Sequence, residues 1–242
     1  WGNGKYWIMG SYYLRAWHKR WFDQHMLDGV SVRDLGDEVC GFAVIGPKSK
    51  LVVDQVAEQD LSGLSFMACD QIDIGLISAH VARLSITGEL GFEINCRMGD
   101  HIALRRLLLE AGNVQCIREV GFNALLSTRI EKSFGIWSTE FTQDRTPRMT
   151  GLDRWISFDK GAFIGRDAAI LARDGNSPSK SQVTLELEDG DSDASGYEPV
   201  WSKSGEMIGF VTSGAYAHTL QKSIAMALIA TELAIPGSDL VV

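Results

Sequence analysis

The sequence predicts a mixed fold of helices and strands in two parts. Three observations carry this: strands alternate with amphipathic helices up to about Trp155, helical periodicity then disappears, and short period-2 runs separated by turn residues take its place. The first part therefore reads as α+β or α/β, and the second as a small antiparallel β-barrel. With 242 residues, 45% hydrophobic and 22% charged, the chain is long enough to bury a core in one large or two smaller domains.

KYWIMG, near the start, reads as a buried strand with nothing before it to pair or cap. Together with the lack of an initiator Met, it predicts a piece of a longer protein. In SYYLRAWHKRWFDQHM, Tyr13, Leu14, Trp17 and Trp21 stand at helical spacing, which predicts an amphipathic helix from about Tyr12 to Met26. CGFAVIGP, Cys40 to Pro47, is a short apolar strand ended by Gly-Pro, and KSKLVVDQVAEQ continues as a helix. The alternating run VARLSI stops at the turn Thr87 to Gly91, and a second extended run opens with FEIN. DHIALRRLLLEAG has Asp100 as candidate N-cap, apolar Ile102, Leu104, Leu107, Leu108 and Ala111, and Gly112 as its stop. GFNALLSTRIEKSFGIW is a helix with Phe122, Leu125, Leu126 and Arg129 on one face. RDGNSPSKS, near residue 174, reads as a linker and divides the chain into residues 1–173 and 180–242. Beyond it QVTLEL, MIGFVTSGAY, SIAMALI and DLVV are the strands, with turn-rich EDGDSDASGYEP and KSGE between them. The acid-rich loop from Glu188 to Asp193 lacks the ligand spacing and terminal Glu of a calcium-binding EF-hand and reads as solvated.

Composition narrows the function. The formal net charge of −8, from 31 acidic against 23 basic residues, argues against a phosphate-tracking surface and a nucleic-acid partner. A small-molecule ligand fits better. Cys40, Cys69, Cys96 and Cys116 form no Cys-x-x-Cys pair, which speaks against a zinc ribbon or disulfide framework and for a reducing compartment, the cytoplasm or the mitochondrial matrix. No apolar run approaches the roughly 18 residues of a membrane span, so no membrane partner is expected. The five histidines are scattered without a carboxylate ligand pattern, so no metal is expected. Dinucleotide fingerprint, P-loop and nucleophile elbow are all missing.

Three side chains stand out. A guanidinium on an apolar helix stripe, as at Arg129, is costly unless it meets a carboxylate, which either the fold or a ligand supplies. Phe92 and Ile94 share one face of an extended segment, so Glu93 faces the other way, toward water or into a cavity. A carboxylate in a cavity suits a fork of two N–H donors, as on the amino-pyrimidinone edge of a pterin. Trp155 offers an aromatic face to fill core or to stack a heterocycle.

Four segments, ITGELGFEI, STRIEKSFGIW, GLDRWISFDKGAFIGRDAA and TSGAYAHTLQKSIAMALI, succeed one another in the order found in the tetrahydrofolate-dependent aminomethyltransferase family, whose founding member is the T protein of the glycine cleavage system. The resemblance spans essentially the whole chain and is closest to the folate domain in the C-terminal half of dimethylglycine and sarcosine dehydrogenases. It implies an α+β, three-lobed fold around a central folate cavity, ending in a small β-barrel. It implies that tetrahydrofolate is the cofactor and a methylated amine the substrate. By position, Glu93 matches the carboxylate that holds the pterin edge, Arg129 the cavity arginine, and Trp155 an aromatic of the folate site, with Ile86 and Tyr6 as further cofactor-binding positions. Ile86 stands where many members have Tyr, and Gly10 and Ser11 where relatives carry Asn or Thr. The family's catalytic aspartate belongs upstream of Trp1. In the dehydrogenase branch, a separate FAD-dependent domain or subunit oxidises an N-methyl amine to an iminium, and the folate domain captures the one-carbon unit as 5,10-methylenetetrahydrofolate. A free-standing aminomethyltransferase, a folate-dependent demethylase, a non-catalytic folate-binding module and a ligand-free interaction domain stay open beside it.

Overall fold

The computed structural model describes residues 4–175, 177–188 and 192–242, and in it the chain divides into two units, Trp1–Glu119 and Val120–Val242. The acid-rich loop predicted from Glu188 to Asp193 falls in large part outside the described residues, as does Asn176 of the predicted linker.

The first unit contains α1 (Arg15–His25), β1 (Val39–Ile45), α2 (Ser49–Val56), β2 (Cys69–Ile74), β3 (Ile77–Ala82), β4 (Gly91–Arg97) and α3 (His101–Gly112). The strands form one antiparallel sheet in the order β1-β4-β3-β2. Alternation assigns its faces: Phe92, Ile94 and Cys96 of β4 are buried with Ile77, Ala79 and Val81 of β3 and Ile72 and Ile74 of β2. Val52 and Val53 of α2 and Leu104, Leu108 and Ala111 of α3 close this core. The buried stripe of α3 is narrower than its sequence predicts, since Ile102 is exposed.

Three expectations for this unit are corrected. KYWIMG forms no strand, and Tyr6 and Ile8 are exposed; its run of aromatic and aliphatic residues is a compositional signal that no neighbouring strand pairs with. Only Trp7 is half-buried there, its ring edge-to-face with His80 at 5.1 Å. Asp100 does not cap α3: it closes a 3-10 turn, Met98–Asp100, and its carboxylate accepts from Arg97 Nε at 3.1 Å. Gly112 does not stop the chain's helical course, which runs on as a 3-10 turn to Gln115 and breaks at Cys116, φ 61°. A Cβ on Gly112 would lie 2.7 Å from the Ile117 side chain, so the glycine serves close approach rather than the cap. α1 continues from a 3-10 turn, Tyr12–Leu14, buries no residue, and is tied by Arg15 to Asp34 and Asp37, each at 2.8 Å.

The second unit contains α4 (Phe122–Ile130), α5 (Arg166–Asp174), β5 (Lys180–Leu187), β6 (Pro199–Ser202), β7 (Met207–Ala217), β8 (Lys222–Ala230) and β9 (Leu240–Val241). Its strands pair antiparallel in the order β5-β8-β7-β6-β9, the barrel-type sheet that the period-2 runs predict. One face buries Val200, Val211, Ala225, Ala227 and Ile229 with Val183 and Leu185. The other face places Ala217, Ile224 and Met226 against Ile130 of α4. A register shift between Val211 and Ser213 turns Ser213 to this second face, opposite Met226. β6 lies in a stretch the sequence leaves unassigned. α4 ends at Ile130, not at Trp137: the Arg129 carbonyl accepts from Lys132 and Phe134 N–H, and Ser133 turns left-handed at φ 57°. The predicted linker begins at the end of α5, whereas the units divide earlier, at Glu119, so residues 120–175 group with the barrel strands. Among the described residues no helix is long and apolar enough to cross a membrane.

Candidate functional site

Glu93 sits on β4, one of the two inner strands of the first sheet, with Ala43 of β1 and Ala82 of β3 directly beside it. Phe92 and Ile94 anchor the strand in the core, 1% and 0% exposed, and so fix Glu93 on the opposite face. The side chains directly across from it on both strands end in methyl groups, which give the carboxylate no donor. Glu93 is half-buried, and among the described residues its carboxylate has no hydrogen bond or ion pair. Burial pushes its carboxyl above the usual glutamate range.

The turn that leads into this strand is built by its own hydroxyls. Ser85 Oγ and Thr87 Oγ1 lie 3.0 Å apart, the Thr87 N–H donates to Ser85 Oγ at 3.2 Å, and Gly88 supplies φ 72°. Gly91 lets the turn fold tightly onto β4, since a Cβ there would meet Ser85 Cβ at 2.7 Å. Ile86 is half-buried within this turn. Tyr6 belongs to the extended N-terminal segment and is 88% exposed.

The second unit holds Arg129 and Trp155. Arg129 is 2% exposed, and the acid it needs comes from the fold: Nη1 donates to Glu140 Oε2 at 2.8 Å, and Glu140 is 0% exposed. Nη1 also donates to the Phe134 carbonyl at 2.8 Å, and Nη2 to Ser213 Oγ at 2.7 Å. The Ser213 hydroxyl in turn donates to Glu140 Oε1 at 2.6 Å, while Thr139 Oγ1 and the Ile136 N–H donate to Oε2 at 2.5 and 3.0 Å. Burial alone would raise the Glu140 carboxyl; the Ser213 and Thr139 hydroxyls, the Ile136 N–H and the Arg129 charge outweigh it and hold the group below its ordinary value. Of the two partners open to Arg129 from its sequence position, an internal acid or a ligand, the geometry supplies the internal acid. Trp155 lies in a 3-10 turn, Asp153–Trp155, 65% exposed, with the Arg154 guanidinium 5.6 Å from its ring centre.

Sequence reasoning missed three participants. Glu140 sits eleven residues beyond Arg129 in an irregular loop, where no periodicity marks it. Ser213 faces the arginine through a bulge that the alternating pattern of β7 conceals. Asn95 shares the Glu93 face, a position that the period of two does predict.

Comparison with known proteins agrees with this architecture. The GCVT N-terminal domain matches residues 1–160, and the glycine cleavage T-protein C-terminal barrel domain matches residues 180–242. Mitochondrial dimethylglycine dehydrogenase of Rattus norvegicus is 33% identical over 225 residues, 91% of this chain and 26% of its own. An aminomethyltransferase of Bacillus licheniformis is 34% identical over 214 residues, 88% of this chain and 58% of its own. The crystal structure of glycine cleavage system aminomethyltransferase T from Bartonella henselae superposes with a TM-score of 0.69 at 25% identity, covering 81% of this chain and 52% of that one. This chain therefore spans 26% of the first relative and 58% of the second.

Proposed function

Because the chain belongs to the glycine cleavage T-protein family, whose two domain models match it in order, we propose that it is the tetrahydrofolate-binding, one-carbon-transfer domain of a demethylating amine dehydrogenase of the dimethylglycine or sarcosine type. In that role it captures the methyl-derived unit as 5,10-methylenetetrahydrofolate. The observation that carries this reading is Glu93: a carboxylate held half out of water, with no protein group to satisfy it among the described residues and its proton affinity raised by burial. A neighbouring pair of N–H donors, such as the amino and ring N–H groups of a pterin, supplies what the fold withholds. Binding them requires the ionised form, so ligand binding draws the Glu93 carboxyl back down.

When bound, tetrahydrofolate supplies the nitrogens that take up the one-carbon unit. The chain's own residues orient it and exclude water, so that the unit is not lost as free formaldehyde. Glu93 fixes the pterin edge. Ile86, in the turn before β4, offers an apolar contact; in the second unit, taken by itself, the exposed ring of Trp155 is an aromatic face able to stack a heterocycle. Tyr6 belongs to the same reading through the segment whose Trp7 packs on His80. Arg129 acts indirectly, joining residues 134–140 to β7 and β8 through Glu140, Ser213 and Met226. An FAD-dependent domain or subunit and an aspartate outside these residues complete the dehydrogenase. A free-standing aminomethyltransferase is the second reading, favoured by the 34% identity to the Bacillus licheniformis enzyme; a flavin-binding fingerprint in the parent reading frame separates the two.

Calorimetric titration of tetrahydrofolate into the chain and into its Glu93→Gln variant tests the assignment. Hydrogen bonds to a charged group contribute about 1.5–3 kcal/mol each, so the variant is expected to bind at least about tenfold more weakly. Equal affinity in the two proteins would remove Glu93, and with it the pterin reading.

A further inference from the structure

The face of the first sheet that carries Glu93 holds a second polar side chain in the same condition. Asn95 lies two residues further along β4 on that face, about 6.7 Å away along the strand, and is half-buried. It stands between Gly41 of β1 and His80 of β3. Among the described residues its amide has no hydrogen-bond partner, although an unsatisfied buried amide is destabilising. His80 makes an edge-to-face contact with Trp7 at 5.1 Å. Gly41 is bare where Asn95 needs the space: a Cβ on it would lie 2.3 Å from the Ile94 carbonyl oxygen and 2.7 Å from Asn95 Oδ1. Ala43 and Ala82 flank Glu93, and Gly41 and His80 flank Asn95, so the β1 side of both polar groups carries only small residues.

Resting on the pterin reading of Glu93, we propose that Asn95 is a second ligand-contact residue, which donates its amide N–H to the ring carbonyl oxygen next to the N–H that Glu93 accepts. The amino-pyrimidinone edge presents an amino N–H, a ring N–H and a carbonyl oxygen in succession. An ionised Glu93 accepts from the first two and has nothing to give the third, because a carboxylate carries no donor. An amide does. One strand repeat places it beside the carboxylate, on the same face and aimed the same way, so the two residues read donor, donor and acceptor as a set.

The experiment is a cycle between protein and ligand: the chain, Asn95→Ala and Asn95→Val are each titrated with tetrahydrofolate and with its 4-deoxy counterpart, in which hydrogen replaces the carbonyl oxygen. Val is the second variant because it suits a strand, carries no donor, and keeps the protein folded should Ala loosen β4. Replacing the oxygen by hydrogen also removes the adjacent ring N–H, a loss that falls on the Glu93 contact in every protein alike and cancels in the ratio of the two affinities. The chain is expected to discriminate between the ligands about 5–10-fold more than either variant, the worth of one hydrogen bond. Identical ratios in all three proteins overturn the role of Asn95. Glu93→Gln, titrated alongside, separates the causes: if it weakens tetrahydrofolate while the ratios stay equal, only Asn95 fails, and if it has no effect, the pterin reading fails and Asn95 with it.

Discussion

Removing the charge of Glu140 is expected to leave the Arg129 guanidinium as an uncompensated cation in the interior of the second unit. Glu140→Gln preserves shape, and the amide oxygen still accepts from Ser213 or Thr139. Arg129, 2% exposed, loses its carboxylate at 2.8 Å and keeps the Phe134 carbonyl and Ser213 Oγ. Breaking a buried pair from one side costs about 3–5 kcal/mol, and the retained acceptors place this case at the lower end, about 3 kcal/mol. Arg129→Met is expected to cost a similar amount, because Glu140, 0% exposed, keeps three donors and loses its counter-charge. The two losses share one cause, so the double variant is expected to be less damaged than the sum by about 2 kcal/mol. Urea denaturation monitored by far-UV circular dichroism measures all three. Single losses below about 1 kcal/mol, or strict additivity, would refute the view that this pair organises the second unit. The depressed Glu140 carboxyl adds a sign: its contribution is fully present above the ordinary glutamate value and disappears as pH falls through the lowered one.

Further predictions concern the first sheet and the exposed aromatic. The Glu93 carboxyl is raised in the folded chain, so its contribution to stability is present at acid pH and lost as pH rises through the raised value; without ligand, Glu93→Gln is expected to melt higher than the parent at neutral pH and to flatten that dependence, and an equal or lower melting temperature goes against it. Gly41→Ala forces a Cβ to within 2.3 Å of a backbone oxygen, which is expected to cost about 1–3 kcal/mol in urea unfolding; a loss under about 0.5 kcal/mol would show that the strands part freely there. Trp155→Ala removes a ring that is 65% exposed, so stability is expected to change by less than about 0.5 kcal/mol while tetrahydrofolate binding weakens about fivefold; unchanged binding goes against a stacking role for Trp155.

Strand alternation made the first sheet legible, because Phe92, Ile94 and Cys96 must share the core and thereby place Glu93 and Asn95 together. The period-2 runs equally foretold β5, β7 and β8, whose core faces are buried. What the sequence concealed was long-range or conformational. Glu140 meets Arg129 through an irregular loop, a contact that no local pattern encodes. The bulge at β7 turns Ser213 to the face its alternation does not indicate. Asp100 has the composition of a cap, yet Arg97 engages its carboxylate. KYWIMG has the composition of a strand but lacks a partner, and a strand needs a neighbour for its backbone hydrogen bonds where a helix makes its own.

The most direct test tracks the carboxyl of Glu93 itself. In the chain with glutamate labelled at the side-chain carboxyl carbon, nuclear magnetic resonance titration gives the proton affinity of this one group before and after tetrahydrofolate is added. The free chain is expected to show it above the usual glutamate range, and the bound chain to show it driven well below, as two N–H donors stabilise the ionised form. A titration curve that does not move on addition of saturating tetrahydrofolate would contradict the account.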